Sequence, residues 1–543
     1  MRDDSRSCRV GVFPVLLAAC VMALPAWGAG SLQNTATREF QKTLTLGENQ
    51  TLSLQNKYGD VHIHGGGSRE VKISATIRVQ AHTQAEADKF SEQTRIDVTQ
   101  DSSGIRVQTI YPSEESSFFK IRIGGPSYSV DYDVTVPGDA KLWLKNSFGN
   151  VEVAAVHGWA DVENGHGRLE FRDGGASKLT NSFGTVDVTG SDGNVSIVNS
   201  NAAVTVSAVK GTLDVKDRFA SITVHNVQGA VTISGGNGAV ELTDAGGANI
   251  SNSFASVNVR NIRGDLTINN SNGAVEANTV SGGAQLNTSF GSIKFSNVAG
   301  AVKCTSSNGR IQGGPSGNDV YVKTTFGEIS LEQINGAAQA EDSNGNITVR
   351  EIKGKGTFNT SFGAIEASGL PKGVRATTGN GRISLSDVGG EIYAKTSFGA
   401  VSIQRVNGSV TIENSNGPVT ANAIRGDASA RTSFGAVTLD DVAGSITVDN
   451  QNGAVQVSSA RNAGNCKNIS LKTSFSPMQV RLPEDAGYQV NAKTSFGHIT
   501  SELPVTASGV LSGDSLNGKI GNGGCTLSLT NSNGNIEISK IAK

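Results

Sequence analysis

The 543 residues carry 46 lysines and arginines against 48 aspartates and glutamates. So even a balance sets up no strong field toward nucleic acid or an anionic lipid surface, and it excludes functions that rest on one. Aromatic side chains make up only 5% while glycine contributes 67 residues, which suits thin, turn-rich layers better than a broad globular core.

Taken in chain order, the first segment reads as an export signal. Arg2, Arg6 and Arg9 precede an apolar run over residues 10–24, and Ala26-Trp27-Gly28 offers a small-x-small cleavage site. The run is too short to persist as a membrane span. Within it, Leu17-Ala18-Ala19-Cys20 has the form of a bacterial lipoprotein box, but Val21-Met22-Ala23-Leu24 stays apolar where a polar tether is usual. Ordinary cleavage near Gly28 is therefore expected, giving a signal peptide over 1–28, with lipidation of Cys20 as the alternative. Either route exports the chain to the periplasm or the cell surface, the second as an outer-membrane lipoprotein.

Residues 31–145 lack a strict repeat and read as a mainly-β N-terminal cap. They contain one early copy of a corner phrase, Tyr58-Gly59-Asp60-Val61, then an alternating strand over 71–77 and a short amphipathic helix over 83–94. Further strands are expected over 105–110 and 128–136, with an exposed loop at 114–126.

Residues 146–457 are dominated by a repeat. A Ser-Phe-Gly phrase places Phe148, Phe183, Phe219, Phe254, Phe290, Phe326, Phe362, Phe398 and Phe434 at intervals of 35 or 36, and a related phrase continues at Phe496. Midway between them Asn201, Asn237, Asn272, Asn308, Asn344, Asn380, Asn416 and Asn452 centre a sister Asn-Gly phrase, mostly 18 residues after each Phe. Between corners, Val and Ile alternate with polar residues over two short runs, which is a strand signal. Two short strands cannot bury their own apolar face, but stacked copies can. The expected fold is all-β: a parallel β-helix (β-solenoid) of about 18 residues per coil, in which the chemical unit is a pair of coils. Right-handed winding is favoured, because no hexapeptide pattern is present. Counting degenerate units, including one at Leu516-Asn517, gives 22 coils, or a shaft on the order of 105 Å at the spacing of paired strands.

Two columns follow from this register. Three residues before the corners, cations in Phe coils face anions in Asn coils: Lys323 and Glu341, Lys395 and Glu413, Arg431 and Asp449, with Lys145 and Glu163 as an earlier instance. This alternating-sign ladder would disfavour a slip of one coil. The corner phenylalanines are read as a structural column filling a corner of the core, with each corner Asn in a tight positive-φ turn. The competing reading is an aromatic stripe that binds a sugar or a protein.

Residues 458–543 are irregular coils of the same solenoid, with extra residues around 463–465 and no evident C-terminal cap. The last coil is expected to be blunted by Lys540 and Lys543, with end-to-end contact with a partner as the alternative. Cys304 falls on an inward position and reads as a small core residue. Export permits a bridge between Cys466 and Cys525. Counted along the chain, however, they stand three coils apart, about 14 Å at the usual strand spacing, which exceeds disulfide reach unless the loops bend together.

Val130-Asp131-Tyr132-Asp133-Val134-Thr135-Val136-Pro137 running into 142–153, and Leu482-Pro483-Glu484-Asp485-Ala486-Gly487 before Thr494-Ser495-Phe496-Gly497, resemble a bacterial family of adhesin-like domains of unknown function. That family is related to the head domain of autotransporter adhesins. The resemblance implies an exported β-solenoid with a surface role and brings no catalytic residues.

A search for chemistry finds little. Asp440-Asp441 is an adjacent acidic pair in the regular shaft, but neighbouring strand residues point to opposite faces. His62 and His64 share one strand face without a third ligand nearby. Gly235-Gly236-Asn237-Gly238 lacks the aspartate of calcium-binding solenoid repeats. No catalytic, cofactor or metal residues are assigned. The expected function is a non-enzymatic envelope adhesin or interaction scaffold, its partner an envelope protein or glycan and not a nucleic acid. A carbohydrate-active β-helix enzyme (polysaccharide lyase or glycosidase) and a passive periplasmic spacer are the alternatives.

Overall fold

The computed structural model describes residues 34–112, 125–461, 466–508 and 512–541. The signal segment with Cys20, most of the 114–126 loop and residues 463–465 lie outside the described residues. The chain forms 49 strands and a single helix among those described, as a parallel β-solenoid of about 18 turns with about 18 residues per coil.

One coil represents the shaft. Strands Val410–Glu413 and Val419–Ile424 are joined by a corner at Asn416. Val410, Ile412, Val419, Ala421 and Ile424 are buried, and Thr411, Thr420 and Asn422, which alternate with them along the strands, face outward. Each strand pairs in parallel with its equivalents, as in Ile392↔Val410↔Ala428 and Val401↔Val419↔Val437. Branched residues on a pleated, half-buried surface explain the strands, and stacking closes the core that one coil leaves open. Where the interval shortens, the change is taken up in a corner: Val227 pairs with Ala245, but Ala230 pairs with Gly247.

Inside the second strand lies a feature that the repeat does not announce. Seven residues after most corners, the backbone adopts a left-handed conformation: Asp387 (φ 57°), Arg405 (56°), Ala423 (56°) and Asp441 (54°), and likewise along much of the shaft. This bend lets Ala421 and Ile424, three residues apart, both turn inward. The corner asparagines are not the positive-φ residues, contrary to expectation. The side chain of Asn416 instead donates to the Ser397 carbonyl of the previous coil at 3.1 Å. Left-handed backbone is costly for residues other than glycine, most of all for a branched one. Thr279→Gly (native φ 58°) is therefore expected to stabilise its coils by ~1 kcal/mol once glycine's larger unfolded-state entropy is offset. Denaturant unfolding checks this, and a loss of stability would contradict it.

Both ends of the shaft are tucked in. At the N-terminal end, Thr51–Gln55 lies between Gly104–Ile110 and Lys141–Phe148, and Val61–Gly66 lies between Ser127–Pro137 and Val151–Ala154. Antiparallel strands Asn34–Thr45 and Glu70–Ala81 extend one face, and Arg95–Asp101 extends the other. The helix Gln84–Gln93 is started by Thr83, whose hydroxyl accepts from the Glu86 amide, and it buries Ala87 against Ala36 and Ala81.

The C-terminal end mirrors this. Cys525–Thr530 pairs in parallel with Ile469–Lys472 on one side and Tyr488–Lys493 on the other. Ile536–Lys540 likewise lies between Met478–Leu482 and Ile499–Ser501. The last coil in sequence is thus the last but one in space. Ser515–Ile520 then runs antiparallel to Tyr488–Lys493 and Val505–Ala507 and covers the exposed edge. Three expectations are corrected. The Leu516-Asn517 unit is a cap strand rather than a coil, so the count of 22 is too high. A C-terminal cap exists. The last coil in sequence is not the end of the stack, since both its sides are paired, and Lys540 meets Glu484 at 3.1 Å.

Tucking also brings Cys466 and Cys525 into adjacent coils. They form a disulfide with Cα atoms 5.7 Å apart. The three-coil separation counted along the chain is not the separation in space.

Candidate functional site

Each corner except that of Asn237, where Gly235 stands, is built on a polar residue two positions before the Phe or Asn. Thr396 is buried: its hydroxyl donates to the Gly381 carbonyl at 3.0 Å and accepts from the Gly399 amide at 3.3 Å. In the next coil the buried Asn414 side chain donates to the carbonyls of Gly399 (3.0 Å) and Gly417 (2.8 Å). Asn450 repeats the arrangement with Gly435 and Gly453. Buried carbonyls at a turn need such partners, which explains a polar column, interrupted at Gly235, in an otherwise apolar core. Its acidic members respond to burial: the carboxyls of Asp217 and Asp342 are pushed up by desolvation, against the backbone amides that they accept.

After most of these phenylalanines a glycine closes the corner against the coil beneath; Ala220, Ala255 and Ser476 stand there after Phe219, Phe254 and Phe475. A Cβ on Gly399 would lie 1.8 Å from the Gly381 carbonyl oxygen, and on Gly435 1.9 Å from that of Gly417. With the interior taken by Thr396 and the glycines stacked this closely, no room remains inside for a ring. The phenylalanines turn outward instead. This overturns the expectation that Phe148, Phe183, Phe254, Phe290, Phe326, Phe362, Phe398, Phe434 and Phe496 fill a corner of the core. Eleven corner phenylalanines, Phe219 and Phe475 included, stand 42–83% exposed. Phenylalanines do enter the core elsewhere, where a glycine makes space: Phe295 faces Gly313 and Phe358 faces Gly356.

The corners form one continuous edge. At its N-terminal end Tyr58, Phe148, His166 and Phe183 stack in consecutive coils, with ring centroids 5.4, 4.5 and 4.6 Å apart. Farther along, Phe and Asn alternate. In sequence this alternation fails, because Phe475 is followed by Phe496, but the tucked coil sets Asn533 between them.

Beside this edge runs the charge ladder. Lys145 and Glu163 approach to 2.9 Å, Lys323 and Glu341 to 3.4 Å, Lys395 and Glu413 to 3.0 Å, and Arg431 and Asp449 to 3.8 Å. The hydrogen bond from Lys395 holds the Glu413 carboxyl below its usual range, and Glu413 in turn raises the Lys395 ammonium. For Glu341 partial burial would raise the carboxyl, but hydrogen bonds from Gln339 and Lys323 outweigh it and the net shift is downward.

The remaining sequence candidates are not brought together. His62 Nδ1 meets Glu152 at 3.3 Å, and no group of three or more potential metal ligands occurs among the described residues. Asp440 accepts from the Asn422 side chain at 3.0 Å, whereas Asp441 occupies the left-handed bend. Cys304 is fully buried, and desolvation pushes its thiol well up. No helix among the described residues is long and apolar enough to cross a membrane.

Residues 370–539 match the family model Toastrack DUF4097. The Toastrack segment takes in the last regular coils, the disulfide and the tucked C-terminal coil. A solved structure to which the chain is similar is a putative cell adhesion protein from Clostridium sporogenes ATCC 15579. It is 13% identical, with 40% of this chain and 100% of that chain covered, at a TM-score of 0.20. No curated protein matches.

Proposed function

We propose that this chain is an exported, non-catalytic scaffold of the cell envelope whose phenylalanine edge is an adhesion surface. The observation that carries the reading is the row of eleven exposed phenylalanines on one edge. Water-facing aromatics in a continuous row are retained against a solvation cost, and large exposed apolar patches mark sites of contact. Their repeat of two coils, roughly 9.6 Å, gives a long surface many equivalent contacts, which favours avidity over a single deep site. Export is supported by the arginine-led apolar segment within residues 1–28.

The triple variant Phe362→Ser, Phe398→Ser, Phe434→Ser tests this. Because these rings are exposed, each change is expected to shift stability by no more than ~0.5 kcal/mol. Co-sedimentation of the purified protein with envelope fractions is expected to fall at least ~10-fold if the three contacts together are worth about 1.4 kcal/mol or more. Unchanged co-sedimentation would favour a passive spacer and overturn the proposal.

A further inference from the structure

A second surface lies away from the corner edge. Over consecutive coils the outward residues of the short strands form a row in strict register, Gln285↔Lys303↔Tyr321↔Gln339. They line a shallow groove of about 630 Å³. Its concavity comes from small residues on the flank, where neighbouring coils carry Gly283, Ala301 and Ala337.

The charges in this groove cancel. Asp265 and Asp319 each accept a backbone amide of the next coil at 2.8 Å, from Gly283 and Ala337. Lys303 and Lys355 supply the two opposite charges. A strongly anionic or cationic ligand would meet as much repulsion as attraction here. Tyr321 is half-buried between Lys303 and Gln339 and offers a ring face. The Gln339 amide is held toward Glu341 at 2.8 Å, which orients it.

We infer that this groove binds a neutral, hydroxyl-rich oligosaccharide lying along the shaft, with one sugar ring over Tyr321. Sugar hydroxyls both donate and accept, so the same ligand can use amides, carboxylates and ammonium groups in turn. The C–H face of a sugar ring packs on an aromatic face. Successive coils rise by about 4.8 Å, close to the length of one sugar unit in an extended chain, so side chains in successive coils meet successive sugars. The groove is separate from the phenylalanine edge and does not depend on it.

Calorimetric titration of the full chain with β-1,4-linked hexamers of glucose and of N-acetylglucosamine, and with a uronate hexamer, tests the inference. At least one neutral hexamer is expected to bind, with little change between low and high salt. Tyr321→Ala is expected to weaken it at least ~10-fold, as loss of an aromatic anchor does, while Tyr321→Phe retains it and the triple phenylalanine variant leaves it unchanged. Thermal unfolding of Tyr321→Ala alongside the parent verifies that the fold is kept. Absence of binding to either neutral hexamer, salt-sensitive binding of the uronate alone, or undiminished binding by Tyr321→Ala would each overturn it.

Discussion

Gly399→Ala is expected to destabilise the shaft by about 3 kcal/mol or more, although it adds only one methyl group. The new carbon would lie 1.8 Å from the Gly381 carbonyl oxygen and 2.3 Å from its carbon. Both are backbone atoms fixed by parallel pairing above and below, so no side chain can move aside. Alanine stands at the equivalent position after Phe219 and Phe254, so relief comes from a shift of the corner backbone, and here that shift pulls Thr396 and Asn414 from the carbonyls they satisfy. Unsatisfied buried carbonyls add roughly 1–3 kcal/mol each to such a distortion. Denaturant unfolding followed by circular dichroism reads the effect. Because a solenoid's stability is local, hydrogen exchange should place the loss in the coils around residues 381–417. A loss below about 1 kcal/mol would show that the corners are not packed as described.

The second large effect is expected from the disulfide. It closes a loop between residues separated by 59 positions, for which the chain-entropy relation gives about 4 kcal/mol. Cys466→Ala with Cys525→Ala, or reduction of the native protein, should therefore destabilise the C-terminal end. The tucked coil of Cys525–Thr530 and Ile536–Lys540 is inserted between two others, so its release would expose both. Limited proteolysis is expected to cut the double variant first within residues 484–541 and to leave the regular shaft intact. Equal resistance of the variant and its parent would mean that pairing alone holds the coil in place.

Much of the architecture was legible in the sequence because stacking demands repetition. A fixed period, alternating Val and Ile, and a glycine at most corners leave few arrangements other than a parallel solenoid. The ladder partners Lys395 and Glu413 could be paired from register alone. The orientation of the corner phenylalanines could not, because apolar residues in a repeat are read as core by default. The signal that could have corrected this was present: a small polar residue two positions earlier, such as Thr396 or Asn414, already holds the inward place. The left-handed column was hidden because residues as different as Arg405, Ala423 and Asp441 occupy it. The geometry there is imposed by the closure of the coil and not by the residue. The disulfide partners Cys466 and Cys525 could be named but not brought together, because sequence order was taken for spatial order and the coil bearing Cys525 re-enters the stack one step early.

The most direct test of the account is hydroxyl-radical footprinting of the corner rings, with and without an envelope fraction. Phe171, Phe295 and Phe358, at 0–1% exposure, serve as protected internal controls. In the free protein Phe362, Phe398 and Phe434 are expected to oxidise at the rate of solvent-exposed phenylalanine, and to become protected together when the envelope fraction is added. Slow oxidation in the free protein would return these rings to the core. Fast oxidation that the envelope fraction leaves unchanged would remove the edge as the surface of adhesion.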